Sequence, residues 1–173
     1  LEHTFVLRGK TNSHAITFPK EVTKDLAEFI GLIIGDGHLD SKKLEFHNTC
    51  EALRYRYKEL LHMFNVPYRE FKSQTSIVVQ VTSRVLCAVL HTYFEIPFGK
   101  KADKVIIPSL LLQSSNEVLA GFLRGYFDTD GFISHKKRDI ELTTASEIMS
   151  KHLSLSLLRF GIVGFSKIKI VHG

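Results

Sequence analysis

Residues 119–131 repeat, with few changes, a pattern that the chain has already used at residues 26–37. The later copy reads Leu119-Ala120-Gly121-Phe122-Leu123-Arg124-Gly125-Tyr126-Phe127-Asp128-Thr129-Asp130-Gly131, and the earlier copy reads Leu26-Ala27-Glu28-Phe29-Ile30-Gly31-Leu32-Ile33-Ile34-Gly35-Asp36-Gly37. Each copy predicts a helix with a stripe of small residues at every fourth position. Glycine inside a helix costs about 1 kcal/mol relative to alanine. We therefore expect the two helices to pack closely through these stripes.

Both helices are predicted to end in Asp-Gly, with Gly37 and Gly131 as left-handed stops. In parallel register Asp36 and Asp130 converge, and two carboxylates about 4 Å apart repel by about 4 kcal/mol at an effective dielectric near 20. A hard divalent cation, with Mg2+ preferred, would offset this repulsion, held by both carboxylates and by helix-end carbonyls at Gly35 and Thr129. Alternatively, these are two core helices with ordinary Asp-Gly ends, but the repetition favours a site.

The two stretches Phe29 to Gly37 and Leu123 to Gly131 resemble the nine-residue signature of the LAGLIDADG homing endonucleases. Ile34 departs from the signature at its first acidic position, which Asp128 keeps. The resemblance implies an α+β fold of two pseudo-symmetric αββαββ(α) units packed through their motif helices, with antiparallel sheets forming a DNA-binding saddle. It also implies that Asp36 and Asp130 are catalytic and use Mg2+, with Mn2+ able to substitute.

Composition limits the classes of function. The chain has 173 residues, of which 44% are hydrophobic, and a net charge of +5, of which residues 132–173 carry +4 through seven Lys/Arg against three Asp/Glu. This excess favours a polyanionic partner such as DNA. No membrane-length apolar run and no signal pattern occur, so we expect no membrane association. Cys50 and Cys87 lack metal spacing and suit a reducing, cytoplasmic location.

The segments after the first motif alternate between helix and hairpin patterns. Thr23 or Asp25 is expected to begin the first helix, and strands are expected on either side of Ser41-Lys42-Lys43. A helix at 50–64 stops at Asn65, a hairpin covers 66–72 and 76–82, and a helix covers 85–94. Asn116 is expected to cap the second motif helix. Residues 4–7 and 15–18 are β-like, and they form either a hairpin on the first half or the end of an upstream domain.

The second half repeats the first. Lys136-Lys137 follow Lys42-Lys43 by 94 positions, and from Glu45 and Glu141 onward the offset is 96. This internal duplication predicts an N-terminal extension at 1–20, a first repeat at 21–115 and a second, incomplete repeat at 116–173. The second repeat is expected to end with a strand through Lys167-Ile168-Lys169.

The basic loop at 98–108 contains Lys100 and Lys101. Phosphodiester cleavage needs positive charge near the reacting phosphate, and similar family members carry a Gly-Lys-Lys loop here. Either lysine is therefore a catalytic candidate, although a solvated turn is the alternative.

The resemblance further implies that the outer sheet faces and turns bind DNA. The DNA-binding candidates are Lys42, Lys43, Glu45, His47, Lys72, Gln80, Thr82, Lys136, Lys137, Arg138, Glu141, Thr143, Lys167 and Lys169. The expected function is site-specific, metal-dependent double-strand cleavage at a long asymmetric target by a monomer, either intron-encoded or part of an intein. The alternative is a LAGLIDADG-derived maturase or regulator that binds nucleic acid without cutting it.

Overall fold

The order of elements confirms an α+β fold built twice around paired helices. A computed structural model describes residues 4–7, 15–134 and 138–168. Along the chain the elements are β1 (Thr4–Leu7), β2 (Ile16–Pro19), α1 (Lys24–Asp36), β3 (Gly37–Leu39), β4 (Lys43–Asn48), α2 (Glu51–Met63), β5 (Tyr68–Lys72), β6 (Ile77–Thr82), α3 (Arg84–Tyr93), α4 (Ser109–Leu112), α5 (Asn116–Asp130), β7 (Gly131–Ser134), β8 (Asp139–Leu142) and α6 (Glu147–Leu158).

Helices α1 and α5 begin with hydroxyl caps. The Thr23 hydroxyl accepts a hydrogen bond from the backbone N–H of Leu26. Of the two residues predicted to begin this helix, Thr23 and Asp25, the first is therefore the cap. The Ser115 hydroxyl accepts from the N–H of Val118, so the prediction of Asn116 as the cap is wrong by one residue. Ser115 is still extended, whereas Asn116 is already helical, and a cap must precede the first helical residue.

The glycines that end the motif helices serve a different purpose from the predicted one. Gly37 has φ −84° and Gly131 has φ −81°, so neither adopts the left-handed conformation. A Cβ atom at either position would collide with the carbonyl oxygen four residues earlier, on Ile33 or Phe127. Glycine is therefore needed because each strand turns closely over the end of its own helix. Asn65, by contrast, does take a left-handed φ of 53° after α2.

The first repeat forms a four-stranded antiparallel sheet with the strand order β3-β4-β6-β5. One face of this sheet packs on the core, where Leu39, Leu44, Phe46, Val79 and Val81 are fully buried. The predicted helix and hairpins of this half are confirmed. Beside it, β1 and β2 form an antiparallel hairpin, in which Phe18 stacks on Phe64 with ring centroids 5.6 Å apart. This packing agrees with a hairpin laid on the first half.

The second repeat contains the two-stranded sheet β7-β8 followed by α6. The predicted closing strand is absent from the described residues, because residues 162–168 form no regular element. Phe165 and Ile168 are 93% and 97% exposed, and no described strand lies beside them to pair with. The predicted limits at 20/21 and 115/116 between extension and repeats stay predictions.

Candidate active site and nucleic-acid interface

The small-residue stripes bring the backbones of α1 and α5 into contact, as predicted. A Cβ atom on Gly31 would overlap the carbonyl oxygen of Phe122, and one on Gly125 would overlap that of Glu28. Near the helix ends a Cβ on Gly35 would overlap the side chain of Thr129. Because the helices are parallel and in register, their C-terminal residues Asp36 and Asp130 lie at one end of the pair.

Asp36 is half-buried at the end of α1. The side-chain amide of Asn48, on β4, donates a hydrogen bond of 2.6 Å to its Oδ2. Burial raises the pKa of Asp36 above its ordinary value, opposed by the Asn48 hydrogen bond and by the nearby charge of Lys101. The amide therefore fixes the orientation of the carboxylate through one oxygen.

Asp130 has different supports, although it occupies the matching position of α5. Burial raises its pKa, and the charge of Asp36 raises it further. The buried Tyr126 hydroxyl donates a hydrogen bond to Asp130 and also hydrogen-bonds with Thr144, which occupies the position of Asn48 in the second repeat. A tyrosine that is anchored by a threonine therefore does for Asp130 what an asparagine does for Asp36.

Lys101 reaches the same helix end from the basic loop. Its Nζ donates to the carbonyl oxygens of Ile33 (2.6 Å), Gly35 (2.8 Å) and Ile34. Desolvation lowers the pKa of Lys101 to about 8, against the opposing pull of the Asp130 and Asp36 carboxylates. The ammonium group thus lies at the negative end of the α1 dipole and near both acids. Lys100 is exposed, and no hydrogen bond or ion pair joins it to the described residues.

A cavity of about 220 Å³ opens beside this group. Lys101, Tyr126 and Asp130 provide its polar lining together with Thr143 and Thr144, and Ile34, Ala102 and Val105 provide apolar walls. The cavity places a cation, hydroxyl-bearing side chains and a carboxylate around one space. Such a space suits a phosphate group or a hydrated ion.

The two aspartates fit a hard divalent cation, because each is a half-buried carboxylate with an elevated pKa and Asp130 feels the charge of Asp36. The predicted Gly35 carbonyl ligand already accepts a hydrogen bond from Lys101. The predicted Thr129 carbonyl ligand stays a prediction, and the Thr129 hydroxyl donates to the carbonyls of Gly125 and Tyr126. Within the described residues no group of three His, Cys, Asp or Glu side chains is arranged to hold a metal.

The outer face of the first sheet carries a continuous row of polar side chains. The strand register aligns His38, Glu45, Gln80 and Arg69 across all four strands. Gln80 Nε2 donates to Glu45 Oε1, and Arg69 Nε donates to Gln80 Oε1 at 2.7 Å. His47 Nε2 lies 3.3 Å from Glu45 Oε2. We call His38, Glu45, His47, Arg69 and Gln80 the polar row.

One predicted position on this face is wrong. Lys72 pairs with Ile77 and follows Phe71, so it lies on the opposite side of β5 from Arg69 and Phe71. The same alternation places Glu45, His47, Gln80 and Thr82 on the outer face, as predicted. Lys43, which is expected in the turn from the sequence, begins β4 and pairs with Thr82 on this face. Lys42 lies in the adjoining turn, where its backbone N–H donates to Asp40.

In the second repeat Glu141 pairs with Phe132 on β7-β8, and Thr143 follows β8. Arg138 lies in the hairpin turn with φ 56°, and Lys167 is exposed outside any strand. Lys136, Lys137 and Lys169 lie outside the described residues.

Sequence reasoning misses His38, Arg69 and Tyr126. The signal for Arg69 is the spacing of the 66–72 and 76–82 hairpin, but the correct register is needed to place it opposite Gln80. The signal for Tyr126 is its position one helical turn before Asp130.

The LAGLIDADG-like domain family matches residues 23–92 and 117–171, which together make up more than half of the chain. The chain belongs to this family. Both matched segments contain one motif helix and the strands that follow it, so the LAGLIDADG assignment covers the two aspartates and the polar row.

No described helix is long and apolar enough to cross a membrane.

Relatives of this LAGLIDADG chain have unrelated names. It is 37% identical over 87% of its length to the replication factor C small subunit of Methanocaldococcus jannaschii. It is 37% identical over 78% of its length to the probable translation initiation factor IF-2 of Thermococcus kodakarensis. It is also 29% identical over 91% of its length to the isomerizing glutamine–fructose-6-phosphate aminotransferase of Methanocaldococcus jannaschii. The matches span only 8%, 12% and 15% of these relatives.

Solved structures share the LAGLIDADG fold at low identity. The crystal structure of I-DmoI in complex with DNA and Mn superposes with a TM-score of 0.61 at 16% identity, covering 83% of this chain and 81% of that one. The N-terminal LAGLIDADG domain of DUF199/WhiA superposes with a TM-score of 0.59 at 18% identity, covering 84% and 70%. At these identities the similarity establishes the fold alone.

Proposed function

We propose that the protein is a site-specific endonuclease that cuts both strands of double-stranded DNA by metal-dependent hydrolysis of phosphodiester bonds. The observation that carries this proposal is the convergence of Asp36 and Asp130 at the ends of two touching helices, with the Lys101 ammonium beside them. A purely structural helix pair has no need of two half-buried carboxylates whose like charges repel each other. Each aspartate is assigned to one DNA strand.

Asp36 and Asp130 would hold Mg2+ or Mn2+, and the bound ion would stabilise the negative charge that develops on the phosphate. Asn48 and Tyr126 keep the two carboxylates in fixed orientations, which lowers the cost of organising the site. Lys101 is the preferred catalytic lysine over Lys100, because its Nζ is held at the site. With a pKa of about 8 it is mostly charged at neutral pH and can still release a proton.

The outer face of the first sheet would lie along the major groove, where polar side chains contact base edges and lysines contact phosphates. The target would be long and asymmetric, because the four-stranded and two-stranded sheets present different surfaces to the two half-sites. Since one chain contains both motif helices, it would act as a monomer. The protein would act on DNA inside the cell.

The relatives support an intein-type origin over a free-standing intron enzyme. Segments similar to this chain occupy 8–15% of proteins named as a replication factor, a translation initiation factor and an aminotransferase. A common segment within such unrelated proteins is expected of a mobile module inserted into different hosts.

The experiment starts from DNA selected out of a randomised duplex library in Ca2+. Asp36→Asn and Asp130→Asn should each abolish double-strand cleavage in Mg2+ while leaving affinity in Ca2+ nearly unchanged. Lys101→Met should slow single-turnover cleavage at saturating protein, and Lys100→Met, its neighbour with the same loss of charge, serves as the control. Wild-type cleavage by either asparagine variant would overturn the site assignment.

The second candidate function is sequence-specific binding without cleavage, as a maturase or regulator. The two-stranded second sheet favours this candidate, because one half-site would then be gripped by fewer strands than the other. The same selection separates the two functions. Tight binding in Ca2+ with no cut in Mg2+ or Mn2+ would establish binding alone.

A further inference from the structure

The polar row commits most of its side chains to one another. Gln80 is only 3% exposed, and its amide both accepts from Arg69 and donates to Glu45. Glu45 uses one carboxylate oxygen for Gln80 and the other for His47. His47 in turn lies 3.4 Å from the Ser76 hydroxyl through its Nδ1. These groups are satisfied within the protein, so they have little capacity left to read a base directly.

Arg69 differs from the rest of the row. Its Nε is fixed by Gln80, and its guanidinium carbon lies 5.2 Å from the centre of the Phe71 ring, which supports the plane of the group. The terminal nitrogens Nη1 and Nη2 have no hydrogen-bond partner among the residues that the structure describes. The side chain is exposed, on the same face as Glu45 and Gln80. Arg69 thus presents an oriented pair of donors outward from a surface that is otherwise internally satisfied.

We infer that Arg69 is a specificity-determining residue that reads a guanine in the half-site bound by the first repeat. Guanine offers two acceptors, O6 and N7, side by side in the major groove, and a planar pair of guanidinium N–H groups matches them. Gln80, Glu45 and Phe71 act as positioning residues that hold the donor pair. The inference rests on the proposed function, in that the first sheet must lie in the major groove.

The test compares preferred DNA sites in Ca2+, so it does not depend on cleavage. Wild type, Arg69→Met and Arg69→Lys are each used to select from a randomised duplex library, and affinities are then measured for all four bases at every preferred position. In wild type we expect one position at which guanine is bound about tenfold more tightly than any other base. Both variants should lose this preference and keep the preferences at all other positions. Lys72→Met, on the opposite side of the same strand, is the matched control and should change none of them.

Arg69→Lys keeps the positive charge but cannot donate two coplanar hydrogen bonds. If Arg69 only contacts phosphate, Arg69→Lys will keep every base preference and Arg69→Met will weaken all sequences equally with a lower salt dependence. That result would overturn the inference and leave the proposed endonuclease intact. Wild type that binds DNA without any guanine preference would do the same. Wild type that binds no DNA would overturn both.

Discussion

The two repeats differ most in the burial of one pair of facing strand residues, which is hydrophobic in both repeats. In the first repeat Leu39 pairs with Leu44 across β3 and β4, and both side chains are fully buried. In the second repeat Ile133 pairs with Ile140 across β7 and β8, and they are 61% and 66% exposed. Strand β6 and helix α3 complete the core around the leucines. No described residue of the second repeat takes their place.

This difference shows which part of the duplicated unit the fold needs. The motif helices keep the same packing in both copies, because each helix provides the glycine stripe that the other requires. The sheets are free to differ, since each contacts the helix pair mainly through its own half. The sheet of a repeat can therefore differ in size without moving the carboxylate at its helix end.

The largest expected contrast comes from truncating the matched positions Leu44 and Ile140. Leu44→Ala removes a fully buried side chain and should lower the free energy of unfolding by about 2–5 kcal/mol. Ile140→Ala acts on an exposed residue and should change it by less than about 0.5 kcal/mol. Chemical denaturation of both variants measures the difference. Equal losses would mean that Ile140 is buried in solution and would contradict the contrast between the two sheets.

A second contrast concerns α2 and α6. Arg56 binds Glu28, which is 2% exposed, through hydrogen bonds of 2.9 and 2.8 Å, and it also binds Asp25. Arg56→Ala leaves the Glu28 carboxylate buried with only Arg124 at 3.8 Å, and should cost about 3 kcal/mol.

His152 occupies the same position in α6, and its Nδ1 has no partner in the described structure. His152→Ala should cost less than about 1 kcal/mol, again measured by denaturant unfolding. A loss as large as that of Arg56→Ala would show that α6 carries a charge network of its own.

In the paired helices α1 and α5, equivalent substitutions in the two repeats should destabilise the fold by similar amounts. Gly31→Leu and Gly125→Leu each place a branched side chain against the backbone of the other helix. Each should destabilise the fold by about 1–3 kcal/mol or more, which lowers the melting temperature by several degrees. Ala52→Leu, on the exposed face of α2, is the control for added volume. If either glycine tolerates leucine, the two helices do not meet through that stripe.

The smallest expected effect is the change in melting temperature when Asp36 or Asp130, each with a raised pKa, is replaced by asparagine. Because the pKa of Asp130 is raised on folding, the folded state binds its proton more tightly, and stability falls as pH rises through that raised pKa. Asp130→Asn should therefore melt at a higher temperature than wild type at pH 7, with the gain shrinking as pH falls toward about 4. Asp36→Asn should gain less, because it alters the hydrogen bond from Asn48.

Mg2+ should reduce the increase in melting temperature of Asp130→Asn over wild type, because the ion stabilises wild type more than the variant. Thermal melts with and without the ion give all of these comparisons. A lower melting temperature for Asp130→Asn at pH 7 would show that the carboxylate stabilises the fold instead of straining it.

The duplicated pattern is enough to predict the paired helices, the first-repeat hairpins and the convergence of Asp36 and Asp130, since glycine spacing and hydrophobic periodicity are local signals. The polar row depends on strand register. The prediction for Lys72 is wrong because a shift of one residue inverts every side chain of a strand. The strand expected near Lys167 follows from the repeat alone, but a strand needs a neighbouring edge as well as a pattern. The sequence alone does not show whether Lys100 or Lys101 reaches the site, because this depends on the path that the basic loop takes.

Lys101 belongs to the segment that joins the two repeats, yet its charge is shared by the acids of both. Within the described structure one ammonium group therefore serves a carboxylate from each repeat. Neutralising either aspartate would change the electrostatic environment of this lysine, so the two halves of the molecule are coupled through a single charge.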